Sequence, residues 1–258
     1  MSEEQARRVQ AQFGATAAAY VTSAGHAGGE DLDRLVAWGK ALGPRRILDV
    51  ATGAGHTAIA FALGVARSVV ACDLTEPMLR TARDLAASRG APVTFAAGAV
   101  EKLPFRDGAF DVVTCRIAPH HFSDVPAALR EIARVLRASG SFLLQDILGH
   151  DDPECAAFVT EVERRRDPSH VRAYPAAEWD SMLRAAGFVV KDEGLVSKIR
   201  MWDDWTGRMR MSPEARRELD AFVRAAPARC RAAFDFKLAG DRVESFTDRM
   251  LLIRADKR

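Results

Sequence analysis

Five short apolar runs recur between residues 46 and 145: RILDV (46–50), SVVACD (68–73), residues 92–96, FDVVTC (110–115) and SFLLQ (141–145). Runs that are apolar at nearly every position suit strands covered on both faces. Helical patterns lie between them at 57–63, 76–89 and 126–138, with Pro77 in a first turn where its fixed φ is tolerated. This alternation predicts βαβ units and an α/β, Rossmann-like fold whose mostly parallel sheet is sandwiched by helices.

The flanks read differently. Residues 1–42 predict an N-terminal helical arm: a helix over 1–23 carrying Phe13 and Tyr20, a polar glycine-bearing stretch, and a second helix from Asp31 stopped by Gly43-Pro44. Residues 43–150 form the core. Residues 151–258 predict helices over 151–166 and 176–186, a strand running from 187 toward 200, a helical insertion at 201–228, and a last strand at 249–254. The whole chain is expected to be a single domain, residues 1–258.

Composition narrows the partners. The formal net charge is +2, so no strong field steers the chain to nucleic acid. No apolar run approaches the roughly 20 residues of a membrane helix, and MSEEQARRVQ is polar, without the apolar stretch expected of a signal peptide. Cys72, Cys115, Cys155 and Cys230 lie far apart with no CxxC pair. No disulfide framework and no metal site are expected, and a reducing, cytoplasmic setting fits.

One constellation carries chemistry. Asp49-Val50-Ala51-Thr52-Gly53-Ala54-Gly55 joins the first strand to a helix, where glycine lets backbone approach a ligand. Gly53-x-Gly55-x-x-Ala58 also satisfies the dinucleotide fingerprint, which leaves an NAD(P)-dependent oxidoreductase open. Asp49 argues against it. A carboxylate four residues before Gly53 repels a pyrophosphate but suits an ammonium. Asp73, at the end of the second strand, is placed to accept ribose hydroxyls. Two such acids fit S-adenosylmethionine (SAM) better.

ILDVATGAGHTA, ACDLTEPML, AAGAVEKLPF and FDVVTCRIAPHHFSD followed by ALREIARVLRASGSFLL stand in this order over residues 45–146. The series resembles the class I SAM-dependent methyltransferases, most closely the ubiquinone/menaquinone C-methyltransferase-like group (methyltransferase type 11). The resemblance implies a seven-stranded sheet with an antiparallel last strand. It places Asp49, Ala51, Gly53 and Gly55 at the methionine part of SAM. It places Asp73 at the ribose, Leu74 and Met78 at the adenine, and Ala99, Val100 and Glu101 at its rim. Arg116 and Ile117 fall beneath the sulfonium, and Tyr20 caps the cofactor. Ala51 stands where the family has a glycine, which a negative φ would accommodate. Ala99 replaces the usual aspartate to the adenine amine.

Methyl transfer needs an aligned nucleophile and, for an O–H, N–H or acidic C–H acceptor, a base. His120 and His121 follow the fourth strand at the sheet's carboxyl edge and are the catalytic candidates. Asp146, ending the fifth strand, is placed to orient a substrate or a histidine. His170, Arg172 and Tyr174, with Trp202 and Trp205 of the insertion, are the candidate substrate wall. The expected activity is methyl transfer from SAM to a small molecule, leaving S-adenosylhomocysteine, by a monomer or homodimer. A methyltransferase fold that binds SAM without transferring methyl is the other alternative.

Overall fold

The computed structural model describes residues 2–21 and 23–258; Met1 and Thr22 of the expected arm lie outside them. Two helices, α1 (Glu3–Val21) and α3 (Glu30–Leu42), flank a single turn, α2 (Ala24–Ala27). Then come β1 (Arg46–Val50), α4 (His56–Gly64), β2 (Ser68–Asp73), α5 (Glu76–Ser88), β3 (Val93–Ala97), β4 (Phe110–Arg116), α6 (Val125–Val135) and β5 (Leu136–Ile147). The C-terminal part runs α7 (Pro153–Arg166), α8 (Ala176–Ala185), β6 (Phe188–Met201), α9 (Trp202–Arg208), α10 (Pro213–Ala225), α11 (Ala228–Ala233), β7 (Lys237–Ala239) and β8 (Arg242–Lys257).

The strands form one sheet in the order β3-β2-β1-β4-β5-β8-β6, with β7 pairing β8 at the side. β1, β2, β3, β4 and β5 are parallel, while β8 runs antiparallel between β5 and β6. The path has the seven expected strands, and β7 is an eighth that the sequence does not announce. The order reverses between β2-β1 and β1-β4, so the crevice where such sheets hold ligands opens at the carboxyl ends of β1, β2 and β4.

Two boundaries differ from expectation for clear reasons. The helix expected to reach 138 ends at Val135, because Leu136 turns extended (φ −74°, ψ 137°) and pairs with Phe110. The last strand is Arg242–Lys257 rather than 249–254. Its first half alternates buried Val243, Phe246 and Asp248 with more exposed neighbours, a weaker signal than a continuous apolar run.

Core packing divides by layer. One face of the sheet meets α6 and α8 through Phe110, Leu129, Ile132, Phe142, Trp179 and Phe188. The other meets α3 and α4 through Leu35, Trp38, Ile47 and Phe61. The insertion has its own core: Trp202, Trp205, Leu219, Val223 and Phe246 pack with Phe158 and Val162 of α7. At its centre Cys155 and Cys230 are joined in a disulfide between α7 and α11. This corrects the expectation of unpaired cysteines: residues 75 apart in the chain meet only because the insertion folds back on α7. No helix among the described residues is long and apolar enough to cross a membrane.

Candidate active site

The turn after β1 is built on three left-handed residues, Ala51 (φ 50°), Gly53 (φ 54°) and Gly55 (φ 87°). The negative φ expected at Ala51 is thus corrected; its methyl sits in a region costing an L-residue roughly 1–2 kcal/mol. A Cβ on Gly53 would meet nothing within 4 Å, so this backbone faces open space. A Cβ on Gly55 would come 3.0 Å from the Ala82 Cβ, so this glycine lets the turn pack on α5 rather than touch a ligand.

Two carboxylates hold the turn. Asp73 Oδ2 accepts the Gly53 N–H at 2.8 Å and Oδ1 the Thr75 N–H at 2.8 Å. Burial raises its pKa against the pull of these bonds. Asp49 lies deeper, accepting the hydroxyls of Thr52 (2.5 Å) and Thr114 (2.6 Å). Burial pushes it up to about 6, with the two threonines opposing.

Above this turn opens a cleft. Its walls include nine residues of the expected cofactor set: Tyr20, Ala51, Gly53, Asp73, Leu74, Met78, Val100, Arg116 and Ile117. Asp49, Gly55, Ala99 and Glu101 of the same set are not among its lining residues. Thr52 stands between Asp49 and the cleft, and Gly98 lines it in place of Ala99. Val9, Phe13, His26 and Phe122 also line it and went unrecognised. Helical amphipathicity alone does not separate a core aromatic from a cleft aromatic.

Arg116 serves the scaffold as well as the wall. Its guanidinium pairs with buried Asp31 (2.7 Å) and donates to the His26 carbonyl (2.9 Å). Lys198 reaches the other Asp31 oxygen at 2.7 Å. Burial disfavours the Asp31 charge, but these two cations outweigh it and its pKa is lowered.

A second cavity adjoins the cleft and shares Phe13, Tyr20, His26, Ile117 and His121 with it. It continues past His120, Glu163, Arg166, Asp167, His170, Arg200, Trp205, Arg208 and Asp248. Ile117, a β-branched residue at φ 54°, turns the chain from β4 into the single 3₁₀ turn Pro119–His121. Strain of this kind costs roughly 1–3 kcal/mol and tends to collect at functional sites.

The turn presents two histidines in different states. His120 Nδ1 lies 2.6 Å from Asp146 Oδ1. Burial pushes this imidazole down, but the charge and hydrogen bond of Asp146 prevail and its pKa is raised. His121 Nδ1 donates to the Ser169 carbonyl (3.2 Å) and hydroxyl oxygen (3.1 Å), and Ser169 donates to Asp167 (2.6 Å). Burial, and then the charge of His120, push His121 down to about 3, so its ring stays neutral. Gln5 ties the carbonyls of His121 (2.9 Å) and Ser169 (2.6 Å) to α1.

The residues of the expected substrate wall are only partly brought together. His170 and Trp205 line the second cavity. Asp146 does not, and acts on it through His120. Arg172 is exposed, paired with Glu178 (2.7 Å) and laid over Tyr174, which packs on Trp179. Trp202 is fully buried against Trp205 and Phe246 in the insertion core. Glu163, Arg166, Arg200, Arg208 and Asp248 took their place unannounced, because α7, β6, α9 and β8 bring them together only in three dimensions.

A glycine turn facing open space, a strand-end carboxylate and apolar walls at Leu74, Met78 and Val100 fit a nucleoside with a cationic tail. Comparison with known proteins decides the family. The methyltransferase domain model matches residues 48–144. The Bacillus subtilis protein named uncharacterized methyltransferase YcgJ is 36% identical over 232 residues, covering 89% of this chain and 91% of that one. The chain belongs to the class I methyltransferase family. A demethylmenaquinone methyltransferase of Thermus thermophilus is 36% identical over 172 residues, 58% of this chain and 77% of that one. The solved Bacillus subtilis YcgJ structure superposes with a TM-score of 0.84 at 35% identity, covering 88% and 98% of the two chains. A Bacillus halodurans structure gives 0.85 at 38% identity, covering 89% and 99%. Membership of this family displaces the oxidoreductase alternative.

Proposed function

We propose that this methyltransferase moves a methyl group from SAM in the glycine-turn cleft to a small molecule in the adjoining cavity, with His120 as general base. The observation that carries this reading is the junction: the two cavities share Ile117 and His121, and His120 with its Asp146 partner stands on the inner side.

Thr52 and Gly53 would hold the methionine part of SAM, Asp73 the ribose, and Leu74, Met78 and Val100 the adenine. When bound, SAM supplies a methyl group already activated by its sulfonium. Asp49 acts at one remove, as a buried carboxylate behind the Thr52 hydroxyl that favours a cationic amine. His121, held neutral, walls the junction without repelling a sulfonium.

His120 Nδ1 is occupied by Asp146, so Nε2 is the atom that accepts the acceptor's proton. Asp146 stabilises the resulting imidazolium, and proton transfer to a positioned base contributes roughly 10²–10⁴-fold in rate. Phe13, Tyr20 and Gln5 of α1 close the junction from above and exclude water.

Titration calorimetry with SAM, S-adenosylhomocysteine and NADH tests the first half: the two sulfur nucleosides bind and NADH gives no heat. Incubation with SAM and a pool of small acceptors, read as S-adenosylhomocysteine formed, tests the second. Binding without any S-adenosylhomocysteine from an acceptor that is consumed would instead mark a fold member that transfers no methyl.

A further inference from the structure

The second cavity has a charge pattern that its role as a general acceptor site does not require. Three guanidinium groups line it, Arg166 of α7, Arg200 of β6 and Arg208 of α9, against the three carboxyl groups of Glu163, Asp167 and Asp248. Arg200 is tied to Asp248 at 2.6 Å, and Arg166 to Glu163 at 3.4 Å while lying over the Trp205 ring. The Arg208 guanidinium has no ion pair or hydrogen bond among the described residues, although the residue is half-buried. Burial and then the neighbouring charges of Arg166 and Arg200 disfavour its ionised form, and Tyr20 and Asp204 give only weaker pulls the other way.

A guanidinium cannot shed its proton in a protein, so a partly buried one without a partner is a standing cost. Arg208 also lines an outer groove with Gly25, Lys198 and Arg200, so it stands where the cavity communicates with the surface. Of the cations at that opening, Lys198 is held by Asp31 at 2.7 Å and Arg200 by Asp248 at 2.6 Å, and Asp204 lines the groove beside them, which leaves Arg208 as the cation there without an ion pair. Flat aromatic surfaces complete the cavity wall at Phe13, Tyr20 and Trp205.

We propose that Arg208 is the anion hook of the acceptor site, and that the molecule methylated is a small planar carboxylate whose acid group pairs with Arg208 while its reactive end faces His120. This rests on the methyltransferase reading and adds the class of acceptor to it. The guanidinium fork matches a carboxylate in two parallel hydrogen bonds, which a point charge would not.

The test uses the full chain saturated with S-adenosylhomocysteine and two nearly isosteric probes, benzoate and benzamide. A charge-assisted pair sets the expectation: benzoate binds at least about tenfold more tightly than benzamide. Arg208→Gln brings benzoate down to the level of benzamide, and Arg217→Gln, on the exposed face of α10, leaves the preference intact. Without probes, Arg208→Gln melts no lower than the parent, because no internal partner is lost. Equal or absent responses to the two probes, or a preference that survives Arg208→Gln, would overturn the assignment. So would Arg208-dependent binding of inorganic phosphate in place of benzoate. S-adenosylhomocysteine affinity, read in the same titrations, belongs to the methyltransferase reading and stays within about twofold in Arg208→Gln; its loss in the parent would strike that reading and not the hook.

Discussion

His120 Nδ1 and Asp146 Oδ1 stand 2.6 Å apart, joining the turn after β4 to the end of β5 across the carboxyl edge of the sheet. Both groups are buried, and the pair is formed before any acceptor arrives. Because Asp146 holds the His120 pKa above the ordinary 6.5, the base is protonated at low pH and activity grows as pH rises through that raised value. Asp146→Asn removes the charge that opposes burial, so the acidic limb of kcat moves to lower pH. Turnover falls by about 10²-fold, since the imidazolium loses its stabilising charge. Binding of S-adenosylhomocysteine is unchanged. A pH profile that does not move would separate Asp146 from the titrating base.

Asp49 couples stability to ligand binding with opposite signs. Its folded pKa of about 6 lies above the ordinary 3.8, because burial penalises the charge. Between those values the folded state keeps a proton that the unfolded chain has released. The stability it contributes is therefore complete below about pH 4 and lost as pH climbs to about 6, roughly 3 kcal/mol at 1.36 per unit. Urea unfolding of Asp49→Asn, compared with the parent at pH 4 and pH 7.5, gives a difference that shifts by about that amount in favour of the variant. Calorimetry shows the reverse for SAM, whose affinity falls by less than the roughly 1.5–3 kcal/mol of a direct hydrogen bond to a charged group, because the Thr52 hydroxyl stands between. Unchanged affinity would remove Asp49 from the ligand's surroundings.

What the sequence made legible follows from how local each signal is. β1, β2 and β4 are buried on both faces, so their uninterrupted apolar runs stand out, and the acids that end β1 and β2 are legible with them. The Asp49 side chain is a different matter: its position behind Thr52 depends on the Thr114 hydroxyl arriving from β4. Trp202 and Trp205 look alike in sequence, yet one is sealed against Phe246 and the other reaches the second cavity. The Cys155–Cys230 link and the Arg200–Asp248 pair join segments whose meeting is decided by packing of the insertion, which no short window of sequence contains.

The glycine turn separates strain from fit at two neighbouring positions. Ala51→Gly relieves a left-handed alanine worth roughly 1–2 kcal/mol, offset by about 0.5–1 for glycine's extra freedom in the unfolded chain. The variant is therefore more stable by up to about 1.5 kcal/mol. Gly55→Ala moves the other way, since φ is 87° and the new Cβ would press on Ala82 at 3.0 Å. Its melting temperature drops by about 2–8 °C, at roughly 2–4 °C per kcal/mol for a chain of this size. Thermal unfolding of the two variants side by side checks the opposite signs. Equal losses would mean that Ala51 is not held in the left-handed region.

The insertion that carries Trp205 and Arg208 is fastened by Cys155–Cys230, so oxidation state bears on both stability and the acceptor cavity. The link closes a loop of 75 residues, and restricting the unfolded chain over such a span contributes about 2–4 kcal/mol. Thiol titration in denaturant without reductant finds only Cys72 and Cys115, and all four cysteines after reduction. Reduced protein, or the double variant Cys155→Ser with Cys230→Ser, melts lower. It loses acceptor turnover while keeping S-adenosylhomocysteine affinity, because the cleft beneath α1 takes none of its walls from α7, α9 or α11. Four titratable thiols before reduction would show the staple to be absent, and equal loss of both ligands would show that the two cavities do not melt separately.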